Sequence, residues 1–245
     1  YHGGGDPTAP GVGWCAWEVR VARYLVTGAA GFIGSNLVRG LLAGGDAVRG
    51  LDDLSTGHLE NLEGCTGLDF VEGDVLEVDL DALLDGVDYV LHHAAVASVP
   101  RSIDDPERTH AVNATGTLRL LAACKRAGTR RLVLASSSSV YGEGGAEPRH
   151  EGEPVAPLSP YAASKAAGEA YCQAFSASLG MPAVCLRYFN VYGPRQDPAG
   201  PYAAVVPKFV ERLRAGMAPM VFGDGGQTRD LVHVDDVVVA NRLAA

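Results

Sequence analysis

From Arg23 onward, short runs of apolar and β-branched residues alternate with longer stretches of helical character. The short runs are RYLVTG (23–28), DAVRGLDD (46–53), LDFVEGD (68–74), DYVLHHAA (88–95), RLVLASS (131–137) and AVCLRYFN (183–190). Several are apolar at consecutive positions, the pattern of strands covered on both faces. Between them lie FIGSNLVRGLLAGG (32–45), ERTHAVNATGTLRLLAACKRAG (107–128) and SPYAASKAAGEAYCQAFSASLG (159–180). Each ends at glycine, a favoured helix terminator. This alternation predicts an α/β fold, a doubly wound parallel sheet with right-handed crossovers. After about Val191 the pattern loosens into Pro/Gly-rich loops, where a smaller second region is expected to begin.

The two ends read differently. Residues 1–20, YHGGGDPTAPGVGWCAWEVR, are Gly/Pro-rich with no signal-peptide apolar core, and a disordered or non-native extension is expected there. At the other end, HVDDVVVANRLAA runs on as a helical pattern without a Gly or Asn cap. The expected organisation is an extension over 1–20, a dinucleotide-binding domain over 21–190 and an incomplete substrate region over 191–245.

Composition narrows the function classes. The 245 residues carry 29 acidic and 20 basic side chains, a net charge of −9, which argues against a nucleic-acid or anionic-membrane partner. No apolar run approaches the roughly 18 residues that span a bilayer. The five cysteines are scattered, without a CxxC pair, so neither a disulfide framework nor a zinc site is expected and a cytoplasmic setting fits best.

The first strand–helix junction, YLVTGAAGFIGSNLV, places Gly28, Gly31 and Gly34 in a GxxGxxG spacing. Positions without side chains let the backbone turn sharply and approach a pyrophosphate at the helix N-terminus. Asp52, at the end of the second predicted strand, is suited to an adenosine ribose and would repel a 2′-phosphate, which favours NAD over NADP. As a plain structural element it would be a turn residue. Asp74, at the third strand's end, is an adenine contact or a helix cap.

SPYAASKAAGEAY puts Tyr161 and Lys165 four apart, on one helical face. A phenol with an ordinary pKa near 10 is a poor base at neutral pH, and nearby positive charge favours its phenolate. A shift of about three units requires roughly 4 kcal/mol of differential interaction.

Taken together, TGAAGFIG, LDDLSTG, HHAA, SSSSVYG, SPYAASK and LRYFNVYGPRQDP resemble the extended short-chain dehydrogenase/reductase family, in its NAD-dependent epimerase/dehydratase group. The likeness runs from about Arg23 to the last residue and is strongest to the UDP-sugar 4-epimerases. It implies a Rossmann-type sheet, a small and apparently truncated C-terminal substrate region, bound NAD and a homodimer. Ser137, four residues before the Tyr of VYG, would bridge the substrate and Tyr161, with Lys165 completing the catalytic set. The cofactor would be held by Gly28, Gly31, Phe32, Ile33 and Gly34, by Asp52, Asp53, Leu54, Ser55, Thr56 and Gly57, and by Asp74 and Val75. His93, Ala94, Ala95, Ala97 and Asn113 would add to it. Tyr161, Lys165, Tyr188 and Phe189 would surround the nicotinamide. On the substrate side, Asn190 and Arg229 would meet the diphosphate, Ala204 and Val205 would offer backbone to uracil, and Phe222 would stack on it.

Two departures shape the expected reaction. Related 4,6-dehydratases carry an Asp-Glu pair just before VYG, and UDP-glucuronate decarboxylases a Glu. Here those positions are Ser138, Ser139 and Val140. Eliminating water requires an acid and a base that serine cannot supply. Ala97 stands where UDP-galactose epimerases often have a substrate-side Lys, which tilts the reading toward N-acetylhexosamines. The expected activity is inversion at C4 of a UDP-hexose, UDP-N-acetylglucosamine or UDP-glucose. The alternatives are another dehydratase, decarboxylase or reductase of this family, or a catalytically incomplete NAD-binding fragment.

Overall fold

The computed structural model describes residues 21–144, 148–198 and 204–245, so the extension expected over 1–20 lies outside the described residues. Six strands form one parallel sheet: β1 (Arg23–Thr27), β2 (Ala47–Asp52), β3 (Leu68–Glu72), β4 (Tyr89–His92), β5 (Arg131–Ser137) and β6 (Ala183–Tyr188). Their spatial order is β3-β2-β1-β4-β5-β6, so the chain reverses direction across the sheet between β1 and β4. Crevices at the carboxyl ends of strands flanking such a reversal are where doubly wound sheets hold ligands. All six strands match apolar runs read from the sequence.

Side-chain alternation along each strand feeds two separate cores. Leu25 on β1 and Leu132 and Leu134 on β5 join Leu120, Leu121 and Cys172 on one face. Tyr24 and Val26 on β1 and Val133 on β5 join Leu37 and Leu41 on the other. Every one of these leucines is almost wholly buried, and truncating one to alanine costs about 2–5 kcal/mol.

The helices carry the endings that the glycines predict. Helix α1 (Phe32–Ala43) stops at Gly44, while α5 (Gly116–Ala127) and α6 (Pro160–Leu179) end on Gly128 and Gly180 in left-handed conformation, with φ of 71° and 62°. Ser159 caps α6 by accepting from the Ala162 N–H, with Pro160 in the first turn. The stretch 107–128 is less uniform than its pattern. It divides into α4 (Pro106–His110), a π-turn (Ala111–Thr115) and α5. Two short helices without a clear periodic signal, α2 (Leu80–Leu83) and α3 (Val99–Asp104), precede them. Beyond β6, β7 (Asn190–Tyr192) and β8 (Leu231–His233) form a separate two-stranded parallel sheet, accompanied by α7 (Val205–Arg214) and α8 (Val234–Ala244).

Candidate active site

A cavity of about 320 Å³ opens at the carboxyl ends of β1, β2, β4 and β5. Its floor is the glycine turn. Gly28 has φ of +70°, and a Cβ there would lie 2.8 Å from the Ala94 N. A Cβ on Gly34 would overlap the Gly28 carbonyl, so no side chain fits where α1 leaves the turn. Helix α1 begins at Gly31 with no side-chain cap and no acid in its first turn. Its free N–H groups and positive dipole end are thereby left for an anionic group. The chain's own backbone thus provides the cradle that a dinucleotide pyrophosphate requires.

Three carboxylates gather at one end of this cavity. Asp52 is 6% exposed, and its oxygens accept the Ala30 and Leu54 N–H groups, both at 2.9 Å. Burial raises its pKa against those backbone donors. Asp52 therefore combines both roles read from the sequence: it organises the turn, where Leu54 adopts a φ of 57°, and it lines the cavity. A carboxylate has about four acceptor sites, so capacity for ribose hydroxyls remains. Asp53 accepts from the Ser55 N–H and hydroxyl. Asp74 accepts the Leu76 N–H and pairs with Arg108 at 2.7 Å. Burial would raise the Asp74 carboxyl, but the Leu76 N–H and Arg108 together hold it below its usual value.

At the other end stand the groups suited to chemistry. Tyr161 and Lys165 line the cavity from the first two turns of α6. The Lys165 ammonium donates to the Ala135 carbonyl at 2.8 Å, and burial pushes it down to about 8. It lies 5.9 Å from the centre of the Tyr161 ring. Burial raises the Tyr161 phenol, while a hydrogen bond from Ser137 lowers it. The Lys165 ammonium bonds the Ala135 carbonyl and makes no hydrogen bond to the phenol oxygen. Ser137 ends β5, and its oxygen accepts from the Ser139 N–H at 3.2 Å and the Ser139 hydroxyl at 2.8 Å. With its acceptor sites filled, the Ser137 hydroxyl is left to donate to the phenol.

The neighbouring serines divide cleanly. Ser136 lines the cavity but has its hydroxyl bonded to Glu169, which in turn makes a paired ion contact with Arg187. Ser138 and Ser139 open a short 3-10 turn over Ser138–Tyr141.

Behind the cavity wall, Thr27 accepts the His93 and Ala94 N–H groups, both at 3.1 Å, and so holds the loop after β4. Its hydroxyl is left to donate to Nδ1 of His92, 2.7 Å away. Burial pushes both His92 and His93 down to about 3, so both are neutral. Asn113 is buried in the π-turn, accepts from the Val96 N–H at 2.8 Å and donates to Ser164 at 3.0 Å. It braces the wall without reaching the cavity.

Of the residues expected to hold the cofactor, the glycines, Phe32, Ile33, Asp52, Asp53, Ser55, Thr56, Asp74 and Val75 line the cavity. So do His93, Ala94, Ala95, Ala97, Tyr161, Lys165 and Tyr188. Leu54, Gly57 and Asn113 stand just outside it. Phe189 instead faces a second cavity of about 1050 Å³ along the free edge of β6. Arg108, Arg101, Ala135 and Ser136 line the cofactor cavity without having been singled out. The substrate-side residues are not gathered around it. Asn190 is tied to the Asp230 carbonyl at 3.1 Å, Arg229 bonds the adjacent Thr228 carbonyl, and Ala204, Val205 and Phe222 are exposed, Phe222 at 75%. Among the described residues there is no helix long and apolar enough to cross a membrane, and no metal-ligating cluster of three or more His, Cys, Asp or Glu.

The family model described as "NAD dependent epimerase/dehydratase family" matches residues 24–245. The UDP-glucose 4-epimerase of Mycolicibacterium smegmatis is 50% identical over 224 residues, which cover 89% of this chain and 71% of that protein. A dTDP-glucose 4,6-dehydratase of Streptomyces griseus is 39% identical over 224 residues, 88% of this chain and 67% of its own length. Among solved structures, a UDP-N-acetylglucosamine 4-epimerase from Methanobrevibacter ruminantium M1, in complex with UDP-N-acetylmuramic acid, superposes with a TM-score of 0.89. It is 43% identical, with 91% of this chain and 73% of that chain covered. The reversal of the sheet at β1 and β4, the side-chain-free cradle under α1 and these matches agree: the chain belongs to the NAD-dependent epimerase/dehydratase family, and NAD is its cofactor.

Proposed function

We propose that this protein is an NAD-dependent UDP-sugar 4-epimerase, inverting C4 of UDP-N-acetylglucosamine or UDP-glucose through a 4-keto sugar. One observation carries the choice. The acids lining the cavity, Asp52, Asp53 and Asp74, all sit at the ends of β2 and β3. Among the described residues none lines it beside Tyr161. Glu169, next nearest along α6, is engaged by Ser136 and Arg187. A dehydratase must protonate a leaving hydroxyl and remove a C5 proton, and Ser138 and Ser139 are too weak for either task. The relatives include both chemistries, and this placement of acids favours epimerisation.

In this reading Tyr161, as phenolate, takes the proton from the sugar 4′-hydroxyl. Ser137 donates to the phenolate and bridges it to the sugar oxygen. Lys165, held at the Ala135 carbonyl, has two further N–H donors for a ribose and places its charge beside the reacting carbon. Bound NAD supplies the hydride acceptor, and later donor, at C4′. Tyr161 returns the proton to the opposite configuration, so no net oxidation results. Asp52 and Asp74 meet the adenosine end, while Asn190, Arg229, Phe222, Ala204 and Val205 are the UDP-side residues that the family resemblance implies. The chain works as a homodimer in the cytoplasm.

The test incubates the full chain with NAD and, separately, UDP-glucose, UDP-N-acetylglucosamine, UDP-glucuronate and dTDP-glucose, resolving products by chromatography. Conversion of a UDP-hexose to its galacto epimer is expected. Formation of a 4-keto-6-deoxy sugar or a pentose, or no conversion by a chain that retains NAD, overturns the proposal.

A further inference from the structure

The wall of the cofactor cavity is connected to the last helix by a chain of three side chains that the reaction itself does not use. Tyr188, the final residue of β6, and His93, just after β4, both line the cavity. Their rings stack with centroids 5.9 Å apart, and Tyr188 Oη lies 3.0 Å from His93 Nε2. Behind them, Asn241 of α8 is fully buried. Its Nδ2 donates to Tyr188 Oη at 2.6 Å and to the Val237 carbonyl at 2.8 Å.

The Asn241 end of this chain has one consistent direction. The Val237 carbonyl can only accept, so the Asn241 nitrogen must face it. Flipping the amide would set two oxygens against each other there. Asn241 Oδ1, buried without a partner among the described residues, exerts no competing pull. The same nitrogen therefore donates to Tyr188, so the Tyr188 proton is free to be donated to His93. In that arrangement His93 Nε2 accepts and the ring proton is on Nδ1, a buried nitrogen with no hydrogen-bond partner among the described residues. An orientation fixed on α8 thus sets both a rotor and a tautomer in the wall of the cavity.

We infer that Asn241 is a positioning residue for the cofactor site, which locks Tyr188 against His93 and fixes His93 as its Nδ1–H tautomer. The residue acts through Tyr188 and touches neither cofactor nor substrate. The consequence is a rigid, uncharged wall: burial raises the Tyr188 phenol and lowers His93, so neither ionises near neutral pH. The charge changes in this part of the cavity are left to Tyr161 and Lys165. Because the device concerns the NAD cavity, it holds for any reaction run on that cofactor.

The test uses the 15N-labelled full chain. Long-range proton–nitrogen correlation of the imidazoles should show His93 as the Nδ1–H tautomer. Asn241→Leu, close in volume, should mix in the Nε2–H form and weaken NAD binding by calorimetry about tenfold, the equivalent of one hydrogen bond. Asn241→Gln, which restores the amide, should recover part of both. Tyr188→Phe provides a second route should the Leu variant fail to fold, since it frees His93 with Asn241 intact. An Nε2–H tautomer in the unaltered chain overturns the inference. So does an Asn241→Leu protein that loses stability while keeping its His93 spectrum and NAD affinity, the outcome of a purely structural residue.

Discussion

Ser137→Ala removes the donor to Tyr161, and with it the acceptor of the Ser139 N–H and hydroxyl, at a half-buried position at the end of β5. Burial raises the Tyr161 pKa, and the Ser137 bond is the interaction that lowers it. A hydrogen bond to a charged group is worth about 1.5–3 kcal/mol, or roughly one to two pKa units. Without it, the phenolate needed to accept the sugar proton forms at higher pH. Ser139 makes no bond to the phenol in the unaltered chain, and it loses its hydroxyl acceptor in the variant. The acid limb of the kcat/KM profile should therefore move upward by about one to two units, with a loss of about 10–100-fold below it. The assay is the pH profile of epimerisation, with Ser137→Thr, which keeps the hydroxyl, as the control that stays near wild type. A loss equal at every pH, with the limb unmoved, would refute the argument and confine Ser137 to binding the sugar.

Lys165→Met should abolish turnover and yet stabilise the cofactor-free protein. The folded Lys165 pKa of about 8 lies below its ordinary 10.5, so the charged form is penalised below pH 8 and the penalty is relieved between those values. Allowing for the lost bond to Ala135, the gain at pH 7 is about 2 kcal/mol, or about 5 °C in Tm, and it should fade as pH rises toward 10.5. Equal melting temperatures at pH 7 would contradict this. Gly34→Ala, whose Cβ would overlap the Gly28 carbonyl, should lose NAD binding by calorimetry, whereas Gly31→Ala, 3.3 Å from the same oxygen, should lose far less. The acid-lined adenosine end should bind NAD at least tenfold more tightly than NADP at low salt, and Asp53→Asn should narrow that ratio.

What the sequence disclosed follows from how local each determinant is. The six strands, the glycine turn and the Tyr161–Lys165 pair depend on short-range patterns, and all appear in the structure where those patterns stand. Arg108 was not legible, because its partner Asp74 is 34 residues away and only the placement of the short helix α4 brings them together. Asn241 is legible only in part: a polar residue in an apolar helical pattern signals a buried task, but Tyr188, 53 positions earlier, cannot be read as its partner. The break at Ala111–Thr115 escaped because its residues carry no Pro or strong breaker. The substrate-side motifs form one set in the sequence, yet residues 204–231 lie largely on an open surface and are not among those lining the cavity with Tyr161.

In the proposed reaction only the C4 centre of the sugar is oxidised and restored. Running the reaction in deuterium oxide, with the recovered UDP-sugars analysed by NMR, follows each carbon separately. Both epimers should carry no solvent deuterium on carbon, because the hydride stays with the cofactor and Tyr161 exchanges only the hydroxyl proton. Deuterium at C5 or C6 would show that a second base acts on the keto sugar, and would contradict the claim.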